Sequence, residues 1–155
     1  MQKMETTDKG TITIETLFHS PIQNVWQAWT DPDLILTWFG SDPHGKVLEA
    51  KLDVRPGGLF EVTFTDADQT KHTCSGTYIE VQEFTKLSFS WTWKSEPGVE
   101  SFVTLSLSAD SNFTRMQFEH AHVGNESRHD YLNGWKATFL KLEQMLTNQK
   151  MFGAS

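Results

Sequence analysis

Five stretches of this chain alternate apolar and polar residues, and one long helical pattern closes it. The closing pattern is Leu132, Trp135, Phe139, Leu142 and Leu146, whose three-four spacing puts all five on one face of a helix. Ahead of it, Phe60, Val62 and Phe64 share one strand parity. Leu87, Phe89, Trp91 and Trp93 form a second set, and Met116, Phe118 and His120 a third. A period of two throws each set onto one side of a sheet. A one-sided sheet and a one-sided helix bury their apolar surfaces against each other. The expected fold is therefore α+β, with a curved seven-stranded antiparallel sheet around a long C-terminal helix. The layers either fill the space between them or leave a pocket there.

The remaining elements follow from local signals. Residues 10–18 alternate, with Ile12, Ile14 and Phe18 on one side, and read as the first strand. Ser20-Pro21 and Thr30-Asp31-Pro32 each look like a helix start, with Ser20, and then Asp31 or Thr30, as the capping side chain ahead of a proline at the first helical position. Two short helices should thus follow strand one, carrying Val25, Trp26 and Trp29, then Leu34, Ile35, Trp38 and Phe39, with Gly40 as the stop. Leu48, Ala50, Leu52 and Val54 share a parity and read as a strand. Arg55-Pro56-Gly57-Gly58, Asp66-Ala67-Asp68 and Glu96-Pro97-Gly98 read as turns. Between 72 and 81 the parity is split, with Cys74 and Tyr78 on one side and Ile79 and Val81 on the other, which a bulge near Gly76 would reconcile. Val103, Leu105 and Leu107 make a strand, 113–122 the last one, and Val123 to His129 a loop. Strands joined by short turns are antiparallel neighbours.

At 155 residues the chain is expected to form a single domain over 10–148, with loose tails at 1–9 and 149–155. The formal charge of −7 argues against nucleic acid and anionic lipid as partners, since both need concentrated Lys and Arg. The lone Cys74 cannot form an internal disulfide, which favours a reducing compartment. The first ten residues lack an apolar signal-peptide core, and no apolar run approaches the roughly 20 residues of a membrane span. A cytoplasmic setting is expected.

Four segments resemble the family of proteins related to the activator of the heat-shock protein 90 ATPase, within the START and birch-pollen-allergen (SRPBCC) helix-grip superfamily. They are Trp26-Gln27-Ala28-Trp29-Thr30-Asp31-Pro32 running on to Trp38-Phe39-Gly40, then Asp53-Val54-Arg55-Pro56-Gly57-Gly58, then Gly76-Thr77-Tyr78-Ile79-Glu80-Val81 with Leu87 and Phe89-Ser90-Trp91, and finally Gly134-Trp135 with Leu142. The likeness spans about residues 12–146. It implies a helix-grip fold with an internal apolar cavity. It does not by itself imply a chaperone partner, because the eponymous activator carries a separate chaperone-binding domain.

The candidate site is the aromatic inner face. Phe60, Val62, Phe64, Phe89, Trp91 and Trp93 would floor a pocket, and Trp135, Phe139 and Leu142 would roof it. Trp38, Met116 and Phe118 complete the wall, while His120, Tyr78 and Cys74 would orient a ligand. The alternative is a plain packed core. Residual cavity costs on the order of 24 cal/mol per Å³, so a dry void of roughly 300 Å³ would cost about 7 kcal/mol, comparable to a domain's whole stability. A large void would have to be wet, occupied or mostly closed by the tryptophans.

The expected function is reversible binding of a small hydrophobic or amphipathic molecule, lipid-like or aromatic. Two alternatives stand beside it. One is a protein-interaction module, which an exposed apolar patch beside Trp38-Phe39 would support. The other is an enzyme of the cyclase or hydratase kind, as among related helix-grip proteins. Cys74 with His72 or His120 is the only nucleophile–base pairing to consider, and no catalytic residue is assigned. His120/His122 and His72/Cys74 have two-residue spacing that a metal could use, but nothing brings the pairs together. No metal or cofactor is expected. Arg55 and Glu61 read as an outer-face ion pair, and Gly57-Gly58 as a hairpin turn rather than a phosphate loop.

Overall fold

The structure is a computed structural model that describes residues 2–7, 10–122 and 131–152, with side chains described over 10–122 and 131–148. The loop expected at Val123–His129 lies outside the described residues. The elements in chain order are β1 (Gln2–Thr7), β2 (Thr11–Phe18), α1 (Ile22–Thr30), α2 (Pro32–Trp38), β3 (Lys46–Leu52), β4 (Leu59–Thr65), β5 (Lys71–Gln82), β6 (Lys86–Trp93), β7 (Glu96–Asp110), β8 (Phe113–Ala121) and α3 (Tyr131–Phe152). All strands join one antiparallel sheet in the order β1-β2-β8-β7-β6-β5-β4-β3. The seven expected strands are β2 to β8. The eighth, β1, pairs with β2 where a loose tail was expected, and α3 runs on past residue 148.

Strand parity does what the alternation requires. Phe60, Val62 and Phe64 are buried, as are Met116, Phe118 and His120, and nearly all of β6 is enclosed. α3 turns Trp135, Phe139, Leu142 and Leu146 into the same interior. The Trp135 ring lies 5.3 Å from Trp91 and 4.7 Å from Phe118, so sheet and helix share one core. α1 and α2 close the side of that core with Trp29 and Trp38, whose rings meet edge to face at 4.9 Å.

Several local readings need correction. Leu48 is half exposed, because the ladder between β3 and β4 shifts register between Val47 and Glu49. That bulge turns Leu48 outward and leaves Val47, Ala50 and Leu52 against the core. The irregularity expected at Gly76 falls between Tyr78 and Glu80, which exposes Ile79. Gly76 is required for a different reason, since a Cβ there would come within 1.9 Å of the Ser90 carbonyl oxygen. The next amide, Thr77 N–H, donates to Ser90 Oγ at 2.9 Å, so only glycine allows this close approach. The turn before β7 lies at 94–95 rather than at Glu96-Pro97-Gly98. The register shift between Thr92 and Trp93 leaves Pro97 in an irregular stretch that needs no amide. Asp31 caps α2 by accepting the Asp33 N–H at 2.9 Å. Ser20 does not cap α1; Pro21 occupies the cap position, and Ser20 Oγ accepts from Asn24 Nδ2 at 3.3 Å. Arg55 pairs with Asp53 at 2.9 Å, and Glu61 with Lys51 at 3.7 Å, rather than with each other.

Candidate functional site

The interior is filled at one end and open at the other. A cleft of about 330 Å³ sits where the first turns of α3 meet the ends of β4, β5 and β6. Phe64, His72, Trp91 and Trp93 come from the strands. Tyr131, Asn133, Gly134, Trp135 and Thr138 come from α3, and Phe39-Gly40-Ser41 form the rim behind α2.

The rim is built by backbone chemistry. α2 ends at Trp38, and the chain turns through Phe39 into Gly40 at φ +102°, a conformation that favours glycine. Asp42 then ties the segment down: one carboxylate oxygen accepts the His44 N–H at 2.8 Å and the other the Ala67 N–H at 2.9 Å. These two amides hold the Asp42 carboxyl below its usual pKa. From α3, Lys141 Nζ donates to the carbonyls of Asp42 at 3.0 Å and Phe39 at 3.4 Å. Half-burial lowers the Lys141 pKa, opposed by the nearby Asp42 charge.

The polar groups bordering the cleft largely satisfy one another. Trp135 Nε1–H donates to His120 Nδ1 at 2.9 Å, so Nδ1 is the acceptor and the proton resides on Nε2. His120 Nε2–H then donates to Ser101 Oγ at 2.7 Å, and Ser101 Oγ–H to the Trp91 carbonyl at 3.4 Å. This chain fixes a neutral imidazole, and burial drives its pKa down to about 3. His120 is therefore a fully enclosed structural residue, not the group at the pocket mouth that its position suggested. Trp93 Nε1–H donates to Tyr131 Oη at 2.8 Å. His72 pairs with Asp66 at 2.8 Å, its ring against Phe64.

Of the residues singled out from the sequence, Phe64, Trp91, Trp93 and Trp135 line the cleft. Phe60 stacks on Phe89 at 4.5 Å in the filled end, and Phe118 meets Phe139 at 5.0 Å. Val62, Met116 and Leu142 are fully enclosed. Trp38 is buried, with its indole N–H on the Ala28 carbonyl at 3.0 Å. Cys74 is buried with its thiol on the Val62 carbonyl at 3.8 Å, and burial pushes its pKa well up, which opposes the thiolate a nucleophile needs. Tyr78 is likewise buried, and its hydroxyl pKa is raised by burial. Among the described residues no three His, Cys, Asp or Glu side chains gather as a metal site would require, and no helix is long and apolar enough to cross a membrane.

The inward-parity reading misses Phe39, Gly40, Ser41, His72, Tyr131, Asn133, Gly134 and Thr138 as cleft residues. Tyr131 and Thr138 extend the face of Trp135 at helical spacing, so the period held that signal. Nothing in the sequence marked Gly40-Ser41 as a wall, because a loop has no period.

An antiparallel sheet closed over a long C-terminal helix, with a cleft at that helix's N-terminal end, defines a helix-grip protein. The chain belongs to the family described as activator of Hsp90 ATPase homolog 1-like protein, whose model matches residues 19–147. No curated protein matches the sequence. Among solved structures, CalU16 from Micromonospora echinospora is 26% identical with a TM-score of 0.68, over 97% of this chain and 87% of that one. A Rhodobacter sphaeroides protein is 18% identical with a TM-score of 0.81, over 96% and 99% of the two chains. An AHSA1-like protein from Aeromonas hydrophila is 20% identical with a TM-score of 0.72, over 92% and 95%.

Proposed function

We propose that this protein reversibly binds a small, predominantly apolar molecule in the cleft at the start of α3. The observation that carries this reading is the open, aromatic-walled space of about 330 Å³, at the lower end of the size of small-molecule sites. Burial drives binding, at roughly 25 cal/mol per Å² of apolar surface removed from water. The aromatic walls favour a planar ligand by stacking and edge contacts. Binding takes place at the N-terminal end of α3, with the rim at Phe39–Ser41 as the outer wall. The cytoplasmic setting and single-domain organisation expected from the sequence belong to the same proposal.

An interaction module centred on Trp38-Phe39 is the weaker reading, because both rings are buried. The test is titration with the neutral fluorescent probe N-phenyl-1-naphthylamine. Gain of probe emission, together with a change in tryptophan emission, is expected. Gly134→Leu, which sends a side chain from α3 into the cleft, removes both responses while the protein stays folded. Probe binding unaffected by Gly134→Leu would place the ligand elsewhere and end this reading.

A further inference from the structure

One glycine of the cleft has no packing reason to be a glycine. Gly40 is fixed by its positive φ, and Gly76 by the Ser90 carbonyl that a side chain would strike. Gly134 is the fourth residue of α3 and lies in regular helix. Among the described residues, the nearest atom beyond its own helix that an added Cβ would meet is Ser41 Cβ, at an ordinary 3.5 Å. Alanine would therefore fit, and alanine stabilises a helix where glycine weakens it. A residue that gives up stability with no packing return marks a place where function sets the choice. Gly134 lines the cleft, and Ser41 stands opposite it on the rim.

This pair flanks the way out. Ser41 and Asn133 are the exposed residues of the lining, while Phe39, Phe64, Trp91, Trp93 and Trp135 are buried behind them. Water thus meets the cleft between the rim and the first turn of α3, where the side chains are a hydroxyl and an amide. The inner walls are aromatic.

Resting on the ligand-binding reading above, we propose that Gly134 is the specificity-determining residue of the cleft. Its missing side chain keeps a slot open between α3 and Ser41, and the slot passes the outer part of an elongated aromatic ligand. The inner ring system of that ligand lies among the buried aromatic walls. Its outer end projects past Gly134 toward Asn133 and water. A side chain at position 134 narrows the slot and leaves a site for the inner ring system alone.

The test pair is 1-naphthylamine and N-phenyl-1-naphthylamine, which share one ring system and differ by a phenyl group. Both are titrated against tryptophan emission. The wild type is expected to bind the larger compound more tightly. Gly134→Ala is expected to weaken N-phenyl-1-naphthylamine roughly tenfold, the low end of a methyl-sized change in a fitted apolar pocket, and to change 1-naphthylamine by less than about twofold. Its melting temperature does not fall. Adding Ser41→Gly to Gly134→Ala reopens the slot from the other side and recovers most of the lost affinity. A glycine needed only for structure would lower the melting temperature of Gly134→Ala or weaken both compounds alike, and either result overturns the proposal. A wild type that prefers the smaller compound, an unchanged affinity in Gly134→Ala, or a double variant without recovery overturns it too. Each of these leaves the cleft as a binding site. If the wild type binds neither compound, the cleft reading falls as well.

Discussion

The two ends of the interior use the same residue types to opposite effect. At the filled end Phe60 stacks on Phe89 and Phe118 meets Phe139, and every one is buried. At the open end Phe39, Phe64, Trp91, Trp93 and Trp135 stand around a cleft. Aromatic content does not distinguish the ends; polar pairing and backbone restraint do. The open end holds the Trp135–His120–Ser101 chain and the Trp93–Tyr131 bond, and its rim is tied by Asp42 and Lys141. A space of this size is kept by holding its walls, since close-packed side chains would otherwise relax into it.

The contrast is broken most directly at the filled end. Phe139→Ala is expected to cost about 3–5 kcal/mol in urea unfolding, and a much smaller loss would show that this end is not close-packed. The next largest effect is acid sensitivity from His120. Its folded pKa of about 3 lies below the ordinary 6.5, so between those values the unfolded chain binds a proton that the native protein refuses. Stability is full above about pH 6.5 and falls as pH drops toward 3, by up to roughly 1.4 kcal/mol per pH unit. His120→Gln flattens that dependence in chemical-denaturation curves taken across the window; an unchanged slope would refute the neutral, enclosed imidazole. Lys141→Met keeps the apolar stem and removes the donor to the Phe39 and Asp42 carbonyls. It is expected to cost about 1 kcal/mol and to weaken probe binding, with faster amide exchange over residues 39–45. The smallest effect is at Gly134, whose added Cβ would meet Ser41 Cβ at an ordinary 3.5 Å. Gly134→Ala should therefore raise stability by up to about 1 kcal/mol, read as a higher melting temperature.

The fold was legible because its signals are periodic. Seven strands and the final helix follow from parities such as Phe60/Val62/Phe64 and from the spacing of Trp135, Phe139 and Leu142. The misses lie where period fails. Gln2–Thr7 (sequence QKMETT) carries no alternation that marks a strand, and its assignment rests on pairing with β2. Leu48 has inward parity by count, and one extra residue in the ladder reverses it. For the site, parity tells which side chains face inward, and Phe64, Trp91, Trp93 and Trp135 are buried as it requires. It could not tell which end of the inner face stays open, because that depends on a rim held by the Asp42 carboxylate and Lys141. A histidine on an apolar face reads from sequence as a polar group at the mouth, because the pattern gives no hint of the Trp135 donor and Ser101 acceptor that enclose His120.

The sheet order has a kinetic consequence. β2 lies beside β8, and Gln117 Nε2 reaches Glu15 Oε2 at 3.4 Å across 102 positions of sequence. The strands from β3 to β8 can zip as local hairpins, but β2 must wait for a long loop to close, and such non-local pairing slows folding. α3 lies over this late-formed seam, its Trp135 and Phe139 on Phe118 of β8. In a refolding experiment the far-ultraviolet signal of the hairpins should therefore recover before the cleft can take up a probe.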